Sequence, residues 1–306
     1  MGHRRYCAAI DIGGTKIKTG LVDDQGRILH QHTMATPVGE GAAEAAAQAI
    51  ANEIRRQCAE SGLLIGVLEG IGVVCTGPVN RVKQTIENPY TLPGWEGFAL
   101  PERLEALCGI PAKMEHDVNG AMIGEVFLHQ AYGKRVLMVS LGTGIGVAVY
   151  DRDHPFEAGK IYHPEMGHVV VDPREKTTCY CKRSGCFESL CAGPALHDLA
   201  RRYGKADFHE MYDAWRNGET ALEEAIQRTA HHFIDGIWNL CVIFKPDVLV
   251  LGGGLMKRYY SVCRDILAPV LAEVPDFIED IEIQCASFDH DSALVGASRL
   301  LFDDRS

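Results

Sequence analysis

Short apolar runs broken by glycine turns open the chain. "YCAAIDI" ends in the turn "GGTK", "IKTGLVD" ends in "DDQG", and "RILHQHT" follows, so residues 6 to 33 predict three short strands. The period then changes. In "GAAEAAAQAIANEIRRQCAESG" the apolar residues recur at helical spacing and a glycine ends the run. "GVLEGIGVVCTG" reads as a buried strand, and a loop rich in Pro, Asn and Gly leads from it to Trp95. "PERLEALCG" predicts a short helix, "PAKMEHD" a strand and "VNGAMIGEVFLHQ" a second helix.

The second half repeats the theme. "RVLMVSLGTGIGVAVYD" predicts two strands joined by a glycine turn, an internal echo of "AAIDIGGTKIKTGLVD". Residues 219 to 245 predict a long helical stretch ending at "KPD", and "VLVLGGG" a buried strand feeding a further glycine turn and helix. "IEIQCASF" reads as a strand and "SALVGASRLLF" as a closing helix. Strands that alternate with helices and are continuously apolar indicate an α/β fold with both sheet faces covered. Two such halves imply two lobes with a cleft between them, and no Pro/Ser linker separates them.

Composition narrows the function classes. The chain has 306 residues, 46% hydrophobic and 23% charged, enough to bury a sizeable core. Its formal net charge is −11 and no Lys/Arg cluster resembles a phosphate-neutralising face, so nucleic acid is not expected as a partner. No run approaches the ~18 to 20 consecutive apolar residues of a membrane span. The N-terminal apolar run is too short for a signal peptide, and Tyr6 stands where a myristoylation signal needs Ser or Thr. The expectation is a cytoplasmic protein free of membrane. Eleven cysteines, an odd number, do not suit a disulfide scaffold. Seven of them (Cys7, Cys58, Cys75, Cys108, Cys241, Cys263 and Cys285) stand singly and read as buried small hydrophobes, whereas Cys179, Cys181, Cys186 and Cys191 are clustered.

Three glycine turns could meet phosphate: Asp11-Ile12-Gly13-Gly14-Thr15-Lys16, Gly142-Thr143-Gly144-Ile145-Gly146, and Gly252-Gly253-Gly254. Glycine lets backbone N–H groups approach phosphate oxygens with no Cβ in the way, and Thr15 and Thr143 each add a hydroxyl. None is a Walker loop or a dinucleotide fingerprint. Any one of them is also an ordinary tight turn; together they point to nucleotide phosphate. Asp11 ends the first strand, where a carboxylate organises Mg²⁺ beside a polyphosphate or, more plainly, caps its own turn. Asp117 in "EHDVNG" follows a strand and precedes a helix, at the end of the sheet where ligands of open α/β folds bind. It is placed to accept a proton from a hydroxyl that attacks phosphorus, or to cap the helix beginning at Val118; spacing leaves both readings open.

"HPEMGH" and "CYCKRSGC" carry the third constellation. His168, Cys179, Cys181 and Cys186 form the Cys₃His set of a closed structural zinc site, tethering a polar loop that has little to bury. Cys191, in "ESLCAG", reads as a core thiol. Glu165 and Glu188 flank the cluster; held by a metal-bound loop they suit acceptance from neighbouring sugar hydroxyls, and either alone is also an ordinary solvated glutamate.

"DIGGTK", "SLGTGIG", "EMGH", "CYCKRSGC" with Phe187 and Glu188, and "VLGGG" together resemble the ROK family (repressor, open reading frame, kinase) of sugar kinases. The resemblance runs from about residue 7 to residue 300. It implies a two-lobed ribonuclease-H-like α/β fold of the actin/hexokinase type, with a smaller lobe of residues 1–117 plus 290–306 and a larger one of 118–289. It also implies ATP-dependent phosphorylation of a hexose, glucose foremost, at the 6-hydroxyl, in a dimer or tetramer. Fructose, N-acetylmannosamine, allose or a β-glucoside are the alternative substrates. Asp117 would be the general base. Glu165, His168 and Glu188 would meet the sugar, together with Gly77, Asn88 and His116. ATP phosphates with Mg²⁺ would lie against Asp11, Gly13, Gly14, Thr15, Lys16, Gly142, Thr143, Gly144, Gly252, Gly253 and Gly254. Three departures stand out. Glucokinases of the family carry Asn-Asp where this chain has His116-Asp117, "IENPYTLPGW" is longer than the usual loop and offers Thr91 beside Asn88, and "HPEMGH" is closer to the fructokinase and β-glucoside-kinase branches. Repressors of the family carry a helix-turn-helix ahead of the sugar domain, for which Asp11 comes too early here; a catalytically silent sugar sensor is the remaining alternative.

Overall fold

Each strand–glycine turn–strand motif forms the antiparallel part of a five-stranded sheet. The computed structural model describes residues 4–159, 161–273, 280–287 and 291–302, and the chain divides into two compact units. Unit 1 is drawn from residues 1–132, 155–164 and 287–306, and unit 2 from 133–154 and 165–286.

In chain order the elements begin with β1 (Tyr6–Ile12), β2 (Lys16–Asp23), β3 (Ile28–Ala35), α1 (Ala42–Glu60) and β4 (Ile71–Cys75). The short pair β5 (Val79–Asn80) and β6 (Thr85–Ile86) precedes α2 (Leu100–Cys108), β7 (Ala112–His116) and α3 (Asp117–Leu128). Next come β8 (Arg135–Leu141), β9 (Ile145–Asp151), β10 (His154–Pro155), α4 (Phe187–Cys191), α5 (Gly193–Arg202) and α6 (Phe208–Arg216). The chain ends with α7 (Glu223–Phe244), β11 (Val248–Gly252), α8 (Met256–Ala272), β12 (Glu282–Cys285) and α9 (Ser292–Arg299). The first sheet has the order β3-β2-β1-β4-β7 and the second β10-β9-β8-β11-β12. In both, the glycine turn joins an antiparallel pair, and two further strands add in parallel, β4 and β7 to β1, β11 and β12 to β8. The expected strand from residue 66 to 77 is shorter than its apolar run, because Ile65–Val67 turn as a 3₁₀ helix before β4 begins. No helix among the described residues is long and apolar enough to cross a membrane.

Alternation along the strands sends side chains to two different covers in unit 1. Ile10, Ile12, Ile71 and Val73 join Ile50 and Ile54 of α1 and Leu100 and Leu104 of α2 in one buried cluster. Ala9, Val22 and Val74 point the other way and meet Leu294 and Ala297 of α9. That second face is built from small groups. A Cβ on Gly72 would stand 1.8 Å from the Ala297 carbonyl oxygen, so α9 lies directly on the backbone of β4. The same is true between helices: a Cβ on Gly124 would stand 1.9 Å from Ser292 O, and one on Gly296 1.7 Å from Gly120 O. Helices α3 and α9 therefore touch backbone to backbone. Glu125, buried in α3, secures the segment before α9 by accepting from Ser287 N at 2.8 Å.

This packing sets the division of the chain. The expected break after residue 117 places α3 in the second lobe, but α3 is held in unit 1 by α9 and β4. Residues 155–164 also return to unit 1, where Arg81 N donates to Ile161 O at 3.1 Å. Of the expected C-terminal part, residues 290 and 303–306 lie outside the described residues. Cys7, Cys58, Cys75, Cys108, Cys241 and Cys263 are buried as expected, and Cys285 is only half-buried, on the edge strand β12.

Replacing Gly296 by alanine should lower stability by about 1–3 kcal/mol, the range for overpacking a close contact. Gly66→Ala, where the added Cβ meets nothing within 4 Å, should stay within about 0.5 kcal/mol of the parent. Thermal unfolding followed by circular dichroism measures both; equal midpoints for the two variants would disprove the backbone contact.

Candidate active site

The carboxyl ends of the parallel strands β1, β4 and β7 bring Asp11, Thr76-Gly77 and His116-Asp117 to one edge of the unit 1 sheet. Asp11 is the cross-strand partner of Lys18, whose Nζ stands 3.6 Å from Asp11 Oδ2 and 2.8 Å from Asp291 Oδ2. One lysine thus serves two carboxylates. Burial pushes the Asp11 carboxyl up to about 6; Lys18 opposes this, while Asp291 and Asp117 add to it. Burial alone would lower Lys18, but Asp291 and Asp11 outweigh it and hold the ammonium above the usual lysine range. Among the described residues, Lys18 is the cation paired with Asp11. Gly13 N closes the first glycine turn on Lys16 O at 3.0 Å, and the side chains of Thr15 and Lys16 stand exposed beside it.

Asp117 begins α3, with His116 in the capping position and making no side-chain cap. The helix-cap reading of Asp117 is therefore not the arrangement found. Its Oδ1 accepts from Val118 N at 2.7 Å and stands 3.2 Å from His116 Nδ1, and 35% of the side chain is exposed. The other edge of the His116 ring lies against Gly77, where an added Cβ would come within 2.3 Å of Cδ2 and Nε2. Behind His116 sits His163, 5.4 Å away between ring centroids. His163 Nε2 meets Glu115 Oε1 at 2.5 Å and its Nδ1 meets Asn119 Nδ2 at 3.0 Å. Burial would raise Glu115, but the hydrogen bonds from the His163 ring and the His116 backbone N–H outweigh it and hold the carboxyl below the ordinary range.

Asn88 is corrected by its surroundings. It is 1% exposed; its Oδ1 accepts from Tyr90 N and Thr91 N at 3.0 Å each, and its Nδ2 donates to Thr91 Oγ1 at 2.7 Å and Thr76 O at 3.3 Å. No capacity is left for a ligand. Asn88 shapes the loop, and Thr91 is the exposed side chain there, its Cβ 3.1 Å from the position a Cβ on Gly14 would take.

In unit 2 the ends of the parallel neighbours β8 and β11 gather three backbone segments. Gly142 N donates to Gly144 O at 2.9 Å to close the second turn, with Thr143 exposed at its tip. Gly193 N, at the start of α5, donates to Gly142 O at 2.9 Å. Gly253, at φ 88°, lets the third turn ride over β8: an added Cβ would be 2.3 Å from Leu141 O, while around Gly254 the space is open. Glu188 joins these turns to the cysteine loop. Its Oε2 accepts from Ile145 N at 2.8 Å, and its Oε1 stands 3.9 Å from His168 Nδ1. Glu165 is exposed at the start of the single turn Met166–His168.

The four metal-ligand candidates converge. One ligand atom from each of His168, Cys179, Cys181 and Cys186 lies within 4.8 Å of the others; Cys179 Sγ is 3.4 Å from His168 Nδ1 and Cys181 Sγ 3.5 Å from Cys186 Sγ. Four ligands around a zinc ion, with Zn–S bonds of about 2.3 Å, need ligand atoms a little under 4 Å apart, so the set fits. His168 turns Nδ1 to the sulfurs, and its Nε2 meets the Tyr180 hydroxyl at 2.9 Å. The loop is tied by backbone bonds, Cys179 N to Arg183 O at 2.8 Å and Val171 N to Gly185 O at 2.9 Å. Gly185, at φ 74°, is needed there because an added Cβ would meet Asp172 O at 1.9 Å. Cys191 is buried in the core, and burial lifts its thiol far above the usual range.

Sequence reasoning missed Lys18, Asp291, Glu115, Asn119 and the role of His163. His163 carried a signal in its place in "HPEMGH", as Glu115 and Asn119 did in "EHDVNG"; Lys18 and Asp291 carried none.

The comparisons agree with this geometry. The ROK family model matches residues 7–304. The N-acetylmannosamine kinase of Vibrio vulnificus is 30% identical over 299 residues, covering 95% of this chain and 96% of its own. The glucokinase of Thermotoga maritima is 24% identical over 315 residues, covering 95% and 96%. The ROK hexokinase structure from Thermus thermophilus superposes with a TM-score of 0.79 at 27% identity, over 97% of each chain. A family match of this span, on an actin/hexokinase-type pair of sheets whose glycine turns and cysteine loop stand where the motifs put them, shows that the chain belongs to the ROK family.

Proposed function

We propose that this protein transfers the γ-phosphoryl group of ATP to a hydroxyl of a hexose, with Asp117 as the general base. The carrying observation is the half-exposed Asp117 carboxylate, with both of its close contacts on Oδ1, at the same sheet edge as Asp11 and the Gly13–Gly14 turn. In this reading Oδ2 takes the proton as the sugar oxygen bonds to phosphorus and the bond from phosphorus to the ADP oxygen breaks. Glycine turns at Gly13–Lys16, Gly142–Gly144 and Gly252–Gly254 receive the phosphates through backbone N–H groups, with Thr15 and Thr143 adding hydroxyls. The Asp11 edge fits Mg²⁺, which when bound would neutralise the charge of the polyphosphate.

The 6-hydroxyl of glucose remains the first substrate to test. The relative named as an N-acetylmannosamine kinase, at 30% identity, supports the 2-acetamido sugar as the second. On the sugar we place Gly77, Thr91 in the stead of Asn88, Glu165 and the free oxygen of Glu188. His168 reaches it only if the Tyr180 hydroxyl yields Nε2. Zinc held by His168, Cys179, Cys181 and Cys186 would stiffen the loop that carries Glu165 and Glu188 and takes no part in the proton transfer.

Asp117→Asn should lower kcat/KM by about 10²- to 10⁴-fold while the sugar still binds, read from coupled ADP release and calorimetry. Unchanged sugar-dependent ADP release would remove Asp117 from the role. Elemental analysis should find one zinc per chain, and Cys181→Ser should lose it together with sugar affinity. A zinc-free parent of unaltered melting temperature and affinity would contradict the assignment. Asp11 gives a pH signature. With its folded value near 6 and an ordinary value of 3.8, the folded state holds the proton more tightly, so stability falls as pH rises through that window. The penalty at neutral pH is at most about 3 kcal/mol. Asp11→Asn should therefore melt above the parent at pH 7 and equal it below about pH 4, while losing MgATP-dependent activity. A variant less stable than the parent at pH 7 would contradict this.

A further inference from the structure

We infer that His116 is the positioning residue of Asp117: its imidazole holds one carboxylate oxygen so that the other is aimed at the sugar hydroxyl. The inference rests on Asp117 as the base, and it moves His116 from sugar contact to support. Three observations carry it. First, His116 Nδ1 stands 3.2 Å from Asp117 Oδ1, the oxygen that also accepts from Val118 N. This is a close N···O contact at ion-pair distance. With both close contacts on Oδ1, Oδ2 is the oxygen with lone pairs to spare.

Second, the ring has little room to swing away. Its Nε2 edge packs on Gly77, its neighbour His163 lies 5.4 Å off, and its own backbone N–H donates to Glu115 Oε1 at 2.7 Å. Third, His163 is itself fixed. Its side chain is 7% exposed, and Asn119 Nδ2 can only donate, so Nδ1 accepts and Nε2–H donates to Glu115. Glu115 thereby braces both the His116 backbone and the His163 ring. The groups facing His116 are thus Asp117, Glu115, His163, and Cys75 across the strand pair from β4.

The proton count follows. The sugar hydroxyl gives its proton to Oδ2 as its oxygen bonds to phosphorus and the bond from phosphorus to the ADP oxygen breaks; His116 exchanges no proton. Asparagine offers an Nδ2–H from the same Cγ position and would serve the same hold.

The test compares His116→Asn, His116→Leu, Asp117→Asn and the double variant His116→Leu/Asp117→Asn in the full chain. It uses MgATP and whichever of glucose, N-acetylmannosamine, fructose and allose the parent phosphorylates fastest. His116→Leu should lower kcat by about 10- to 100-fold, as misplacement of a reacting group does, with sugar affinity within about threefold of the parent. His116→Asn should recover kcat to within about fivefold of the parent, and the double variant should be no slower than Asp117→Asn alone. Three results would overturn the inference: loss of sugar affinity with kcat kept in His116→Leu, no recovery in His116→Asn, or independent losses that multiply in the double variant. Full activity of Asp117→Asn would instead refute the base itself, whatever His116 does. Sugar affinity and melting temperature of each variant separate either result from misfolding.

Discussion

The backbone contact between α3, α9 and β4 is the constraint from which the unit 1 chemistry follows. Gly72, Gly120, Gly124 and Gly296 each stand where a Cβ would strike a neighbouring chain, three of these neighbours being backbone atoms that cannot change rotamer. A glycine inside a helix is about 0.8–1.0 kcal/mol less favourable than alanine, and three of the four lie within helices. Such residues are weak local choices that only close approach compensates. The return is position. The first residue of α3 is Asp117, and the residue before α9 is Asp291, which fixes Lys18 beside Asp11. One packing contact thus locates Asp117 and, through Lys18, the Asp11 carboxylate beside the first glycine turn.

That placement also explains the charge balance. Asp11 and Asp291 share Lys18, Asp117 adds to the negative charge around Asp11, and Asp11 is largely withdrawn from water, so its negative charge is costly when nothing else is bound. If MgATP binds here as proposed, the cation it brings relieves a repulsion already present.

What could be read from the sequence was local. The strand–turn–strand echo lies within sixteen or seventeen consecutive residues, and the ligands His168 to Cys186 within nineteen, so period and spacing exposed them. What could not be read depends on distant partners. Lys18 and Asp291 are 273 positions apart, and Ser287 meets Glu125 across 162. Asn88 was misplaced because an asparagine in a loop looks available until its four hydrogen bonds are counted. Gly124 and Gly296 look like interruptions of helices until the helix opposite is known. Residues 155–164 join unit 1 through backbone and imidazole bonds that leave no periodic trace.

The two units reach rigidity by different means, and this bears on how each fails. Asp117 is held by packed helices, so its geometry depends on the core of unit 1 and is insensitive to thiol chemistry. The segment around His168 and Cys186 has little core of its own: Tyr180 is 66% exposed and Val170 38%. Its backbone bonds, the tight turn at Gly185 and the bond from Ile145 N to Glu188 fix a path, and an ion shared by the four ligand atoms would add a further tie across it. Damage to the α3–α9 contact therefore reaches Asp117 first. Oxidation or chelation at the sulfurs reaches the segment between Glu165 and Glu188 and leaves Asp117 in place.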